Sequence, residues 1–178
     1  MPTKQSEIPL HILLVEDNED DVAIAKRVFA KSGVPIRLHV ANDGKEALEL
    51  LAKPTYWRSR KRSSPLPDLA LLDLSMPRMG GLAVLRHMKA DPGLRTVPVI
   101  VLTGETDEYP LRECMQLGTN MYLLKPMAMS DVVNIVLDVQ RHWTEMPAAK
   151  RPTNRQVDGP SRSIDGAKSG KRRRQSDA

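Results

Sequence analysis

Glu16-Asp17 follows the apolar run Ile12-Leu13-Leu14-Val15, and Asp73 follows Leu69-Ala70-Leu71-Leu72. Thr103 closes Val99-Ile100-Val101-Leu102, and Lys125-Pro126 closes Tyr122-Leu123-Leu124. Three carboxylates gathered at one spot repel, and unless something neutralises them at least one must keep a proton. A hard divalent cation removes the conflict, and an oxygen site made partly of protein and partly of water suits Mg2+. Lys125 adds a second fixed positive charge and Thr103 a hydroxyl. An ionised carboxylate beside such a cation and an ammonium is what acceptance of a phosphoryl group requires. The carboxylate attacks, while the cation and the ammonium absorb charge on the phosphoryl oxygens.

The runs that carry these residues are short, bounded by turn residues and separated by helical patterns. Strands buried on both faces of a parallel sheet look like this. In such a sheet the carboxyl ends of the strands share one edge, where open α/β sheets bind ligands. Glu16, Asp17, Asp73, Thr103 and Lys125 therefore converge although the chain spreads them over more than a hundred residues. Strands are expected near 11–16, 36–41, 68–73, 98–103 and 120–124, with helices over about 19–32, 44–52, 81–90, 107–117 and 130–145. Val22, Ala25, Val28 and Phe29 share one stripe of the first helix. Val132, Ile135, Val136, Val139 and Trp143 do so in the last, where Ser130 suits the N-cap. Gly118 suits a left-handed cap after the fourth. Five alternations predict a doubly wound (βα)5 α/β sandwich, because parallel strands need right-handed crossovers.

Residues 53–67 (KPTYWRSRKRSSPLP) break this pattern and read as an irregular basic loop with three prolines. The chain divides into an N-terminal extension (1–9), one domain (10–146) and a basic tail (147–178). The tail is poor in large apolar residues and is expected to be disordered. It also carries the charge. Residues 1–146 hold 18 Lys/Arg against 19 Asp/Glu, whereas 147–178 hold 9 against 3, so the formal +5 says little about the domain. The single cysteine, Cys114, excludes an internal disulfide framework and a thiolate metal cage, and points to a reducing compartment. No signal-peptide pattern or membrane-length apolar run is visible, so a soluble cytoplasmic protein is expected. His11, His39, His87 and His142 are scattered, with no pair at metal-ligand spacing. Gly80-Gly81 reads as a tight turn and lacks the spacing of a dinucleotide or phosphate-loop fingerprint.

ILLVEDNEDD (12–21), DLALLDLSMPRMGGLAVL (68–85), VPVIVLTGE (97–105) and YLLKP (122–126) occur in an order and spacing that resemble the receiver domain of two-component response regulators. The likeness spans residues 10–145. It implies a flavodoxin-like parallel sheet of order 2-1-3-4-5. It also implies that Asp73 is the phospho-acceptor, modified to 4-aspartylphosphate. Asp17 and Asp73 would ligate Mg2+, Glu16 would help hold the ion through water, and Ser75 would contribute its backbone carbonyl. Lys125 would pair with the acceptor and then with the phosphoryl group, and Thr103 would bond a phosphoryl oxygen. Tyr122 matches the aromatic that swings inward, Lys125-Pro126 matches a bond often cis in this family, and Ser75 and Glu105 flank the acceptor site where dephosphorylation is tuned. The implied partner is a histidine kinase, with no membrane and no nucleic acid involved. The implied chemistry is self-catalysed phosphotransfer and not turnover as an enzyme. The long loop before the third strand, the helix ending at Trp143 and the following TEMPA look like the stand-alone regulators paired with phytochrome-type histidine kinases. That would imply a red-light sensor kinase as donor. It would also imply dimerisation through the fourth predicted helix, the fifth strand and the last helix, where Val133 and Leu137 are candidates.

Rival readings come from other classes. A metal-dependent phosphohydrolase with an aspartyl nucleophile usually carries a second acid two residues further on, where this chain has Ser75. A flavin binder needs a first loop of Ser, Thr and Gly, whereas EDNEDD repels phosphate unless a metal intervenes. The tail KSGKRRRQSDA could bind nucleic-acid phosphates. No aromatic is interleaved for stacking and no helix-turn-helix follows the domain, so a solubilising role is the expectation.

Overall fold

Unbroken Val, Ile and Leu runs make strands that are dry on both faces, so helices must cover each face. The structure is a computed structural model and describes residues 9–57, 65–104, 108–119, 121–128, 131 and 134–138. In chain order the elements are β1 (Leu10–Val15), α1 (Glu19–Lys31), β2 (Ile36–Ala41), α2 (Gly44–Leu51) and α3 (Pro54–Trp57). Then follow β3 (Leu69–Asp73), α4 (Gly81–Ala90), β4 (Val99–Thr103), α5 (Glu108–Gln116) and β5 (Met121–Leu124). Residues 131 and 134–138 are helical as well. Every strand pair is parallel and the sheet order is β2-β1-β3-β4-β5, the doubly wound arrangement expected. No helix among the described residues is long and apolar enough to cross a membrane.

Two cores sandwich the sheet. Leu10, Ile12 and Leu14 of β1 pack with Val22, Ala25, Val28 and Phe29 of α1, and with Ile135 and Val136. Leu13 and Val15, the alternate residues of the same strand, join Ala47, Leu51, Trp57, Val84, Leu85, Met88 and Cys114 on the other side. Cys114 is fully buried, and burial first, then the charge of Glu113, pushes its thiol up to about 11.

α1 starts where Asn18 accepts hydrogen bonds from the backbone N–H groups of Asp20 and Asp21 through Oδ1, at 2.9 and 3.2 Å. Glu19, Asp20 and Asp21 then fill its first turn, where the helix dipole favours acids. Gly118 follows α5 with φ of 78°, the left-handed conformation a glycine tolerates.

Two expectations are corrected. The segment expected to be irregular from residue 53 opens instead with the helical turn α3, whose Trp57 is fully buried and donates from Nε1 to the Leu50 carbonyl at 3.0 Å. Proline suits a first helical position, and burying an indole with its N–H satisfied is strongly favourable. The histidines are not all scattered. His39 Nε2 lies 3.1 Å from His11 Nδ1, and His39 Nδ1 lies 2.9 Å from the Tyr56 hydroxyl. Asp68 anchors the same end by accepting from the His11 backbone N–H at 2.8 Å. Residues 1–8, 58–64 and the tail from 147 lie outside the described residues, as do Glu105, Ser130, Val132, Val133, Val139, His142 and Trp143.

Candidate functional site

The ladder carries β1, β3 and β5 one residue past their ends. The backbone N–H of Glu16 donates to Ala41, that of Leu74 to Leu102 and that of Lys125 to Thr103, at 3.0, 3.0 and 2.9 Å. Residues immediately after β1 and β5 and at the ends of β3 and β4 are thereby fixed along one edge. Glu16, Asp17 and Asp73 bring carboxylate oxygens within 4.8 Å of one another. Glu16 and Asp73 are buried and Asp17 is exposed. Lys125 reaches the same place from β5, with Nζ 2.9 Å from Glu16 Oε2 and 3.0 Å from Asp73 Oδ2. The Lys125-Pro126 bond is cis.

The remaining expected residues lie on or just after β3, β4 and β5. Ser75 is exposed, and its backbone N–H donates to Asp73 Oδ1 at 2.9 Å. Thr103, buried at the end of β4, donates from Oγ1 to the Gly104 carbonyl at 3.1 Å. Tyr122 is half-buried on β5, where it pairs with Val101. Gly81 starts α4 directly against Asp73, and a Cβ there would run into the Asp73 carbonyl. Only glycine lets that helix start so close to the acid.

Charge at this edge is unevenly solvated. Burial drives the Glu16 carboxyl from 4.5 up to about 7, opposed by its bond to Lys125 and reinforced by the charge of Asp73. Burial works to lower the Lys125 ammonium, yet the carboxylates of Asp21, Glu16 and Asp73 together hold it above its ordinary range. Three carboxylates around a space with one acid reluctant to ionise are a hard-oxygen donor set, and a divalent cation fits them by restoring the missing counter-charge.

Asp21 escaped the sequence reading. Its Oδ2 lies 2.6 Å from Lys125 Nζ, the shortest of the three ion pairs on that ammonium. A helix beginning at residue 19 was the available signal, since it sets residue 21 in the first turn beside the loop that carries Glu16 and Asp17.

Residues 12–137 match the family model described as the response regulator receiver domain. The probable methanogenesis regulatory protein FilR2 of Methanothrix harundinacea is 36% identical over 139 residues, covering 78% of this chain and 86% of FilR2. The response regulator Rcp1 of Synechocystis is 33% identical over 148 residues, covering 82% of this chain and 98% of Rcp1. Among solved structures, the bacteriophytochrome response regulator AtBRR aligns with a TM-score of 0.63 at 33% identity, over 77% of this chain and 96% of its own. The Mn2+-bound form of Rcp1 aligns with a TM-score of 0.59 at 32% identity, over 78% and 97%.

Proposed function

This chain belongs to the family of response regulator receiver domains, and on that premise we propose that it is a single-domain regulator phosphorylated on Asp73 by a histidine kinase. The observation that carries the assignment is the meeting of Glu16, Asp17 and Asp73 within 4.8 Å, with the Lys125 ammonium bonded to two of them. Asp73 attacks phosphorus with one carboxylate oxygen. The acyl phosphate forms as the phosphorus–nitrogen bond to the kinase histidine breaks. Lys125 follows the new charge onto a phosphoryl oxygen, and Thr103 turns from the Gly104 carbonyl to donate to another. Tyr122 moves inward into the space this leaves. Phosphorylation then acts as a population shift between two states of the domain.

Asp17, Asp73 and the Ser75 carbonyl would hold Mg2+ directly, with Glu16 through water, and the ion would neutralise phosphoryl oxygens as they approach. The Mn2+ in Rcp1 supports a divalent cation, and the all-oxygen donor set favours Mg2+. AtBRR is a bacteriophytochrome response regulator, and by that likeness we assign a phytochrome-type kinase as the donor. We place the receiver at 10–146, including the basic loop 53–67, with a solvated basic tail at 147–178. We assign a cytoplasmic protein without nucleic-acid function, whose phosphotransfer and dephosphorylation are self-catalysed. Tyr109, Met115 and Leu124 are exposed on α5 and β5, and with Leu137 they support a homodimer through that face.

Incubation with acetyl phosphate and Mg2+ tests the central claim. Intact mass is expected to show one added phosphoryl group on the wild type and none on Asp73→Asn. A wild type that never gains mass, or an Asp73→Asn variant that gains as much, overturns it.

A further inference from the structure

An ammonium donates three hydrogen bonds. Those of Lys125 point at Glu16, Asp73 and Asp21, with the shortest contact, 2.6 Å, to Asp21. Asp21 is the odd member of this set. It lies in the first turn of α1 and not at a strand end, and it is not one of the three acids whose oxygens gather around a common point. It is half-buried, whereas Glu19 and Asp20 in the same turn are exposed. Helix-dipole stabilisation applies to all three acids of that turn, so it does not explain why Asp21 alone reaches the lysine.

The bond to Asp73 passes to the phosphoryl group when that group arrives, and as the ammonium follows it outward its hold on Glu16 or on Asp21 must slacken. Releasing Glu16, which is 1% exposed, leaves a bare charge in the interior, a costly outcome. The Asp21 side chain is 23% exposed, so water can take the place of the ammonium. Asp21 is thus the partner that can be given up with least loss.

We propose that Asp21 is a positioning residue, the resting partner that holds the Lys125 ammonium at the rim while Asp73 is unphosphorylated and yields it when the phosphoryl group arrives. The proposal rests on Asp73 as the acceptor. Its consequence is directional. As hydrolysis expels the phosphoryl group, Asp21 begins to recapture the ammonium in the transition state, so removing Asp21 raises that barrier and leaves the phosphorylated species longer-lived.

The test uses the full chain in four forms: wild type, Asp21→Asn, Asp21→Glu and Asp20→Asn. The last removes an equal charge from the same helical turn without touching Lys125. Two readouts are taken. One is the half-life of the phosphorylated species by intact mass after acetyl phosphate is removed. The other is the 1H–15N signal of the Lys125 ammonium in metal-free resting protein, assigned by its loss in Lys125→Arg. Asp21→Asn is expected to lengthen the half-life by about three- to tenfold, the scale of one charge-assisted hydrogen bond partly screened by water. Its Lys125 signal broadens away, while Asp21→Glu and Asp20→Asn keep both properties of the wild type. An Asp21→Asn half-life equal to that of Asp20→Asn, or an unchanged ammonium signal, overturns the proposal. A wild type that takes up no phosphoryl group overturns the acceptor reading and the yielding of Lys125 with it. The ammonium signal then still decides, separately, whether Asp21 holds the lysine.

Discussion

At the carboxyl end of the sheet, Glu16, Asp21 and Asp73 share a single ammonium, and Glu16 is buried so deeply that its carboxyl is driven up to about 7. At the amino end, Asp68 gives a carboxylate oxygen to the His11 backbone N–H, His39 links His11 to Tyr56, and Trp57 donates to the Leu50 carbonyl. Both ends bury polar groups in the same sheet. The amino end pairs them largely with backbone and with one another, in bonds that no change of charge is needed to keep. The carboxyl end leaves more negative charge than the ammonium can cancel. One end holds the domain together, and the other can respond to an arriving ion or phosphoryl group.

The sharpest way to break this contrast is at the amino end. Trp57→Ala is expected to cost about 3–5 kcal/mol through the cavity it leaves, read from the urea midpoint. The fraction that stays folded should still take up a phosphoryl group. Loss of uptake at full folding would tie α3 to the chemistry and erase the distinction.

Next in size is Lys125→Met, which strips Glu16 and Asp73 of their cation. About 3 kcal/mol should be lost at pH 8, the scale for uncovering a buried charge, and clearly less at pH 6, where Glu16 can take a proton. Equal losses at both pH values would show that the ammonium is not balancing Glu16.

Glu16→Gln sharpens the same point. The folded carboxyl sits at about 7 against an ordinary 4.5, so the folded state binds its proton more tightly than the unfolded state. Its stabilising contribution is full below 4.5 and lost as pH rises through about 7. Metal-free wild type should therefore lose about 2–3 kcal/mol across that window, and Glu16→Gln should be nearly flat. Titrations with Mg2+ should show affinity rising with pH over the same range, because binding expels that proton.

The smallest expected effect is Asp68→Asn, about 1 kcal/mol for a weakened bond to the His11 N–H. It should be insensitive to Mg2+ and to phosphoryl uptake, as a purely structural bond would be.

What sequence could and could not foretell divides along the same line. Glu16, Asp17, Asp73, Thr103 and Lys125 were legible because each ends an apolar run, and a parallel sheet puts all such ends on one edge. Asp21 was not, because an acid in a helix's first turn already has an ordinary reason to be there. The His11–His39 pairing depends on β1 lying beside β2 with Leu13 opposite His39, a register that spacing along the chain does not reveal. Pro54 among basic residues reads as a breaker, and only the burial of Trp57 shows that it opens a turn of helix instead.

Cys114, the one thiol in the chain, packs against the core on the α4 side of the sheet and is pushed up to about 11. At neutral pH almost none of it is thiolate, so maleimides and mild oxidants should pass it by. The native chain can therefore serve as a silent background for labelling. A single cysteine placed by Met115→Cys, on the exposed face of α5, could carry a spin label or fluorophore and report distances there without any need to remove the natural one.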